Sequence, residues 1–337
     1  MFSSRLALAR AVVFSLSTAF AFGSPVGTIS GTVKDPTGAV TPGVTLKLVN
    51  AATNAQLSTT TNGSGEFTFL QLTPATYSLE AEHAGFKKTT VSSVLVQVDQ
   101  VTHLELTLEL GSLADSVQVE AAAPLLENDR STLSSVVDTR TITSMPLNAR
   151  QYLDLALLTP GAMPSQPGQQ GGGFNMAGAR SQSNLFMLDG VTNMDTQINS
   201  AIGNFRITDA VQEFAVQTSV PTAEFGRGHG AQVNIVTKSG TNQFHGSAFE
   251  YLRNSDLDAA DFFTNKLGGV KNTLHRNQYG ATFGGPIIKD KTFFFASWEG
   301  FRQVNPTVSS TRVPSTAERA QVADPISRSL LQFWPAS

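Results

Sequence analysis

Leu104-Glu-Leu-Thr-Leu-Glu-Leu110 alternates strictly, with four leucines at every second position and Glu105, Thr107 and Glu109 between them. A period of two places the leucines on one face and the polar residues on the other, the pattern of a half-buried strand. Back from this stretch to Val26, no segment sustains a 3.6-residue apolar period. Short alternating runs are cut instead by turn signals. Gly27 to Lys34 ends at Asp35-Pro-Thr-Gly38, Val44 to Asn50 follows Pro42-Gly43, and Thr61-Asn-Gly-Ser-Gly65 leads into Glu66 to Leu70. Glycine supplies positive φ at such breaks and proline presets φ. Residues 24–110 therefore read as a small all-β sandwich.

Upstream, Arg5 and Arg10 precede the apolar run Ala11 to Phe22. That run has the length of a signal-peptide core and is short for a bilayer span, so residues 1–23 are expected to be a secretory signal cleaved near Phe22 or Ser24. Lys plus Arg number 23 against 26 Asp plus Glu, a formal charge of −3 that provides no basic field for nucleic acid. Cysteine is absent, which removes disulfides, thiolate metal sites and a cysteine nucleophile. No His-x-x-Glu or His-Glu-x-x-His pattern occurs and no G-x-S-x-G elbow is present, so the sequence assigns no catalytic residue, metal or cofactor. Asp256, Asp258 and Asp261 cluster in a polar stretch but lack the D-x-[DN]-x-[DN]-G spacing of a calcium loop.

Downstream, residues 111–124 form a weakly charged linker containing Asp115-Ser-Val-Gln-Val-Glu-Ala121. Val117 and Val119 alternate in a segment that either finishes the sandwich or is suited to adding a strand to another protein's sheet. Composition then shifts, with most of the glycines and phenylalanines lying from Gly161 onward. Ala149 to Leu158 has a helical pattern behind an Asn148 cap, and Pro160-Gly161 stops it. Asn184 to Asp189 reads as a buried strand ending in an Asp-Gly turn, and a short helix at Asp209 to Glu213 leads into a strand at Phe214 to Thr218. Residues 125–240 are thus expected to be a compact mixed α/β domain.

Two resemblances emerge from these residues. Gly31-Thr-Val-Lys-Asp-Pro-Thr-Gly38, Pro42-Gly-Val44, Gly63-Ser-Gly-Glu-Phe67, Pro74-Ala-Thr-Tyr77 and Ala84-Gly-Phe86 resemble the carboxypeptidase-regulatory-like β-sandwich, a name that carries no peptidase chemistry. Ala177-Gly-Ala-Arg180, Phe186-Met-Leu-Asp-Gly-Val191, Asp209 to Gln217 and Glu224 to Gly240 resemble the plug domain of TonB-dependent outer-membrane receptors. Their order is similar to that of the Oar-like subfamily, which carries the sandwich in front of the plug. Within the resemblance, Arg180, Asp189, Gly190, Gly226, Gly228 and Gly230 are plug-motif positions. Asp115, Ser116, Val117, Gln118 and Val119 are similar to the TonB box, the strand offered in the periplasm to the energy-coupling protein. The three glycines lack the G-x-G-x-x-G spacing of a dinucleotide loop and read as a tight turn into a strand.

Residues 241–337 supply hairpin material: Phe244 to Arg253, Arg276 to Gly285 and Thr292 to Arg302, each near the length of a transmembrane β-strand, with Pro286 to Lys291 as a reverse connection. In the last, Phe294, Ala296 and Trp298 share one face, and Ser297 and Glu299 the other, as lipid-facing and lumen-facing residues do. The stretch from Leu274 to Gln303 resembles the first barrel hairpins of the same receptors. A barrel of about 22 strands needs roughly 400 residues or more, whereas about 100 follow Gly240. The expected fold class is mainly β: a sandwich, a mixed α/β plug, then the first few strands of an incomplete transmembrane barrel. The resemblance implies the N-terminal part of an outer-membrane receptor for nutrient uptake, its sandwich facing the periplasm. It further implies a TonB-type partner and a small-molecule or glycan substrate bound by outer loops that include Gln169 to Gly173. The competing reading is a secreted carbohydrate- or protein-binding module built on the sandwich.

Overall fold

The computed structural model describes residues 27–111, 116–120, 133–166, 173–195, 197, 207–218, 228–269, 271, 273–305 and 313–333, so the expected signal peptide lies outside the described residues. Two compact units result, Met1–Phe249 with Gly280–Glu299, and Glu250–Tyr279 with Gly300–Ser337. Strands account for most of the regular structure.

The first unit opens with β1 (Gly27–Lys34), β2 (Thr45–Asn50), β3 (Gln56–Thr60), β4 (Glu66–Leu72), β5 (Ala75–Glu82), β6 (Lys88–Val96), β7 (Val101–Thr107) and β8 (Ser116–Glu120). They form two sheets, ordered β4-β1-β7 and β3-β2-β5-β6-β8. Burial alternates along β1 and β5 as a sandwich requires, and Ile29, Val33, Leu46, Leu48, Leu79 and Leu108 are fully enclosed between the sheets. Each such side chain contributes about 1.5–3 kcal/mol of burial free energy. The opening leucine stretch is inside as expected at Leu104, Leu106 and Leu108, but Leu110 is 68% exposed. The ladder of β7 ends at Thr107, and Leu110 instead bridges Phe86. β1 and β7 run parallel over seven consecutive pairs, Thr28↔Val101 to Lys34↔Thr107.

The same unit continues with β9 (Leu133–Asp138), β10 (Ala162–Pro164), β11 (Phe174–Met176), β12 (Leu185–Leu188), β13 (Val191–Thr192), β14 (Val211–Thr218) and β15 (Gln232–Thr237). Five of them make one sheet, β13-β12-β15-β14-β9, in which β12 and β15 are parallel and the other neighbours antiparallel. Val211, Phe214, Val216, Val233 and Ile235 pack from this sheet against Tyr152, Leu155, Ala156, Phe174 and Met176. The expected helix at Ala149 to Leu158 is two 3-10 pieces, Asn148–Arg150 and Tyr152–Leu158, and Asn148 caps neither with its side chain. Ala149 and Arg150 take φ of 55° and 52°, which breaks the α-helix at its start. The expected helix at Asp209 to Glu213 is likewise a 3-10 turn, Thr208–Ala210, and the strand begins three residues earlier than anticipated, at Val211. Val211 is fully buried, so packing extends the strand through it.

β16 (His245–Asn254), β17 (His275–Ile288) and β18 (Thr292–Val304) form an ordered three-stranded sheet, β16-β17-β18. β17 runs to Ile288, so the connection to β18 is shorter than the expected Pro286 to Lys291. Phe244, Phe283 and Trp298 stay more than half exposed, and the rings of Phe244, Phe283 and Phe294 contact one another at centroid separations of 5.5–6.5 Å. In the second unit Asp261 caps the helix Phe262–Lys266, Asp258 pairs with Arg253 at 3.1 Å, and Ser315 with Glu318 forms a capping box on the helix Thr316–Ala320.

Candidate functional site

The plug-motif positions gather around the parallel pair β12/β15. Asp189 and Gly190 have φ of 48° and 77° and link Leu188 to Val191, a two-residue hairpin turn of the I′ type that Asp-Gly favours. The Asp189 carboxylate faces the neighbouring strand. Its Oδ1 accepts the Thr237 N–H and its Oδ2 accepts the Thr237 hydroxyl, both at 2.8 Å, while the Asp189 N–H donates to the Ile235 carbonyl. The Asp-Gly pair thus shapes a turn and fastens it to β15.

Gly228 and Gly230 are needed for a different reason from the expected tight turn. A Cβ at Gly228 would lie 2.5 Å from the Ser183 carbonyl oxygen, and one at Gly230 would lie 2.2 Å from Asn184 Oδ1. Backbone meets backbone here, and the Gly230 N–H donates to the Ser183 carbonyl at 3.0 Å. Gly226 lies outside the described residues. Arg180 is exposed and precedes the 3-10 turn Ser181–Ser183, where its carbonyl accepts the Ser183 N–H.

Sequence reasoning passed over the residue that joins these parts. Asn184 is 1% exposed, its Oδ1 accepts the Ala231 N–H at 2.8 Å, and its Nδ2 donates to the Phe174 carbonyl at 2.7 Å. It clamps β11, β12 and the approach to β15 together. Only its place next to an apolar run hinted at burial. The glycine-rich run from Gln169 is closed at its base by the hairpin β10–β11, and Ser165 Oγ donates to the Gly173 carbonyl. Residues 167–172 lie outside the described residues.

Two buried charge groups were also missed. Arg150 Nη2 lies 3.0 Å from Asp209 Oδ2 with both side chains about nine-tenths buried, and the Arg150 guanidinium stacks 4.5 Å over the Phe249 ring. Burial holds the Lys238 ammonium below its ordinary range, partly offset by Asp209. Where the sandwich meets the plug sheet, Glu213 Oε1 accepts the Val98 N–H at 2.6 Å and Asp99 accepts from Asn234 Nδ2 at 3.1 and 3.2 Å. Val98, Ala215 and Val236 close this junction with apolar contact. Burial pushes the Glu213 carboxyl up to about 7; the Val98 N–H works against this, and the charges of Asp138 and Asp99 add to the rise.

Of the TonB-box-like segment, Asp115 lies outside the described residues. Ser116, Val117, Gln118 and Val119 belong to β8, which pairs in parallel with β6 from Lys88↔Ser116 to Ser92↔Glu120. The segment therefore does finish the sandwich sheet, and among the described residues it is the edge strand.

Three family models match the chain in succession: a carboxypeptidase regulatory-like domain over residues 28–109, a TonB-dependent receptor plug domain over 128–233 and an outer membrane beta barrel domain over 236–330. The TonB-dependent transporter Oar of Myxococcus xanthus is 29% identical over 296 residues, which cover 84% of this chain and 27% of that protein. The chain thus spans about a quarter of that relative's length. Among solved structures, the siderophore receptor PirA from Acinetobacter baumannii aligns at 20% identity and a TM-score of 0.39, over 50% of this chain and 24% of its own. The outer membrane transporter YddB from Escherichia coli aligns at 15% identity and a TM-score of 0.40, over 50% of this chain and 26% of its own. Sandwich, plug sheet and hairpins are thus each matched, in order, by a separate family model, and over most of its length the chain is similar to a TonB-dependent transporter.

Proposed function

We propose that this chain is the N-terminal part of an outer-membrane receptor for nutrient uptake, exported by residues 1–23, with its sandwich in the periplasm and its plug occupying a barrel. The observation that supports this reading is the plug sheet itself: Asp189, Gly228 and Gly230 fall within the segment similar to a plug domain, Asp189 is bound to Thr237 just beyond it, and the glycines make the close approach to Ser183 and Asn184. The mechanism is mechanical. A TonB-type coupling protein takes hold of the strand at Asp115 to Val119, and the pull shifts the plug to open a path for a small molecule or glycan.

The three described barrel strands leave a sheet with two edges. Unpaired N–H and C=O groups at such edges are not tolerated in hydrocarbon, so transport requires further strands to close the wall. The domain boundaries that go with this reading are 24–110 for the sandwich, 111–124 for the linker, 125–240 for the plug and 241–337 for barrel hairpins.

Fractionation of cells expressing the 337-residue chain tests the reading. Outer-membrane material that needs detergent for extraction and migrates heat-modifiably is expected. A soluble product without heat modifiability would reject insertion and favour the sandwich as a secreted carbohydrate- or protein-binding module.

A further inference from the structure

Among the described residues, the sandwich is held to the rest of the first unit at two separate seats. The first is on the plug sheet. Val98 and Asp99, in the turn between β6 and β7, meet Glu213 of β14 and Asn234 of β15, and Gln212 Nε2 donates to the Pro74 carbonyl at 2.8 Å. The second seat is at the turn between β17 and β18. There Asp290 Oδ1 accepts from Asn54 Nδ2 of the sandwich at 2.8 Å and from Asn242 Nδ2 at 2.7 Å, while the Asp290 N–H donates to Asn242 Oδ1 at 2.8 Å. The Asn242 N–H closes this knot on the Ala52 carbonyl at 2.9 Å. One turn of the sandwich is thereby tied both to the connection between plug and hairpins and to a hairpin turn.

The seats differ in how they treat charge. Asp290 is exposed and its partners are neutral amides, so water still solvates its carboxylate. Glu213 is buried, and the charges that act on it are both negative: Asp138, its register partner on β9, and Asp99 from the sandwich turn. The other ionisable groups of the neighbourhood are engaged elsewhere. Arg140 acts on Asp138, Asp209 acts on Lys238, Asp189 is bound to Thr237, and His245 bonds to Thr241 and Gln243 within its own segment. A cleft of about 1000 Å³, bordered by Leu95 and Val96 of the sandwich and by Glu213 and Val236 of the plug sheet, gives the carboxyl a route for exchanging its proton with solvent.

We propose that the sandwich is a brace with one fixed and one releasable end: it stays on the hairpin turn through Asp290, and it lets go of the plug sheet when the Glu213 carboxyl loses its proton. A neutral Glu213 accepts the Val98 N–H without burying a charge. An ionised one places a third negative charge beside Asp99 and Asp138 in a buried seat, and parting the turn from the sheet is what rehydrates it. Burial and the two carboxylates raise Glu213 to about 7 from an ordinary 4.5. The seat is therefore at full strength below about pH 4.5 and has lost this contribution once pH has risen through 7.

Amide exchange of the full 337-residue chain in detergent, followed from pH 4.5 to 8 and divided by intrinsic rates, tests both ends. The Val98 N–H reports the plug seat and the Asn242 N–H the hairpin-turn seat. Protection at Val98 is expected to fall about a hundredfold over this range and to level off above about pH 7, while protection at Asn242 stays within about threefold. Glu213→Gln keeps an acceptor for the Val98 N–H but cannot ionise, and should make the Val98 profile flat. Asp290→Ala should lower protection at Asn242 at every pH and leave the slope at Val98 as it is.

A flat Val98 profile in the parent chain would overturn the releasable end, and a parallel fall at Asn242 would overturn the fixed one. A fall at Val98 that continues to pH 8, or a Glu213→Gln chain that retains the parent's slope, would assign the titration to another group and overturn the role of Glu213; the first of these is read without any variant. Unchanged Asn242 protection in Asp290→Ala would remove the knot.

Discussion

A methyl group at residue 230 would land 2.2 Å from Asn184 Oδ1 and 3.1 Å from the Ser183 carbonyl carbon, too close for either to remain in place. Gly230→Ala is therefore expected to destabilise the plug by about 1–3 kcal/mol, read as a shift of the denaturation midpoint at unchanged slope. Asn184→Ala removes the partner of two buried main-chain groups, the Ala231 N–H and the Phe174 carbonyl, each costing about 1–3 kcal/mol when left unpaired. Restoring the midpoint with Asn184→Ser, which can offer only one of the two bonds, should fail. These positions differ in how visible they were. The glycines stand out in any reading of Glu224 to Gly240, yet only coordinates show that Gly228 and Gly230 serve close approach rather than a turn. Asn184 offers no such signal, because its partners at 174 and 231 lie on other elements.

At the scale of elements, the junction between sandwich and plug should respond to pH through Glu213. Its carboxyl titrates near 7 when folded against an ordinary value of 4.5, so the folded state binds the proton more tightly. Stability from this group is fully present below about pH 4.5 and is lost as pH rises through 7, about 3 kcal/mol across that window. Asp138, held below its ordinary range chiefly by its bonds to Thr141, acts in the opposite sense as pH falls through its lowered range. Subtracting the stability profile of Glu213→Gln from that of the parent isolates the first effect, and a flat difference between pH 4 and 8 would falsify it. Alternation was enough to find the strands, as Gly27–Lys34 shows by matching its expected limits at both ends. Helical spacing misled at Ala149 to Leu158. The Arg150 side chain is drawn to Asp209 and its carbonyl accepts the Thr208 hydroxyl at 2.5 Å, contacts from far along the chain that hold Arg150 in the left-handed region.

For the whole molecule, exposed Phe244, Phe283 and Trp298, with half-buried Phe294 in ring contact with the first two, form the apolar surface of the hairpin sheet that the proposed receptor reading turns to lipid. Trp298→Arg should weaken membrane association, since a cation on a lipid-facing strand position costs from about 1 kcal/mol near the interface to about 4 kcal/mol at mid-bilayer. Ser297→Arg, one residue along and on the opposite face, should leave the detergent-extracted fraction unchanged. Equal losses from both variants would mean that this sheet does not stand in lipid by that face. The alternation that supports this assignment could be read in Phe294 to Glu299, whereas the length of wall needed to enclose the plug is a property of the closed barrel that no local pattern records.

The seven parallel pairs between β1 and β7 gain a further meaning from where β7 begins and ends. Val98 and Asp99, just before its first residue, are seated on β14 and β15 of the plug sheet through Glu213 and Asn234, while its far end leads toward β8. Tension entering at β8 would run along β7 toward that seat. A strand is already near full extension and has little slack to give, and its rungs to β1 would be loaded in shear, all together, rather than unzipped singly. β7 would act as a taut rod, carrying displacement at the β8 edge into the plug sheet before the sandwich could unravel.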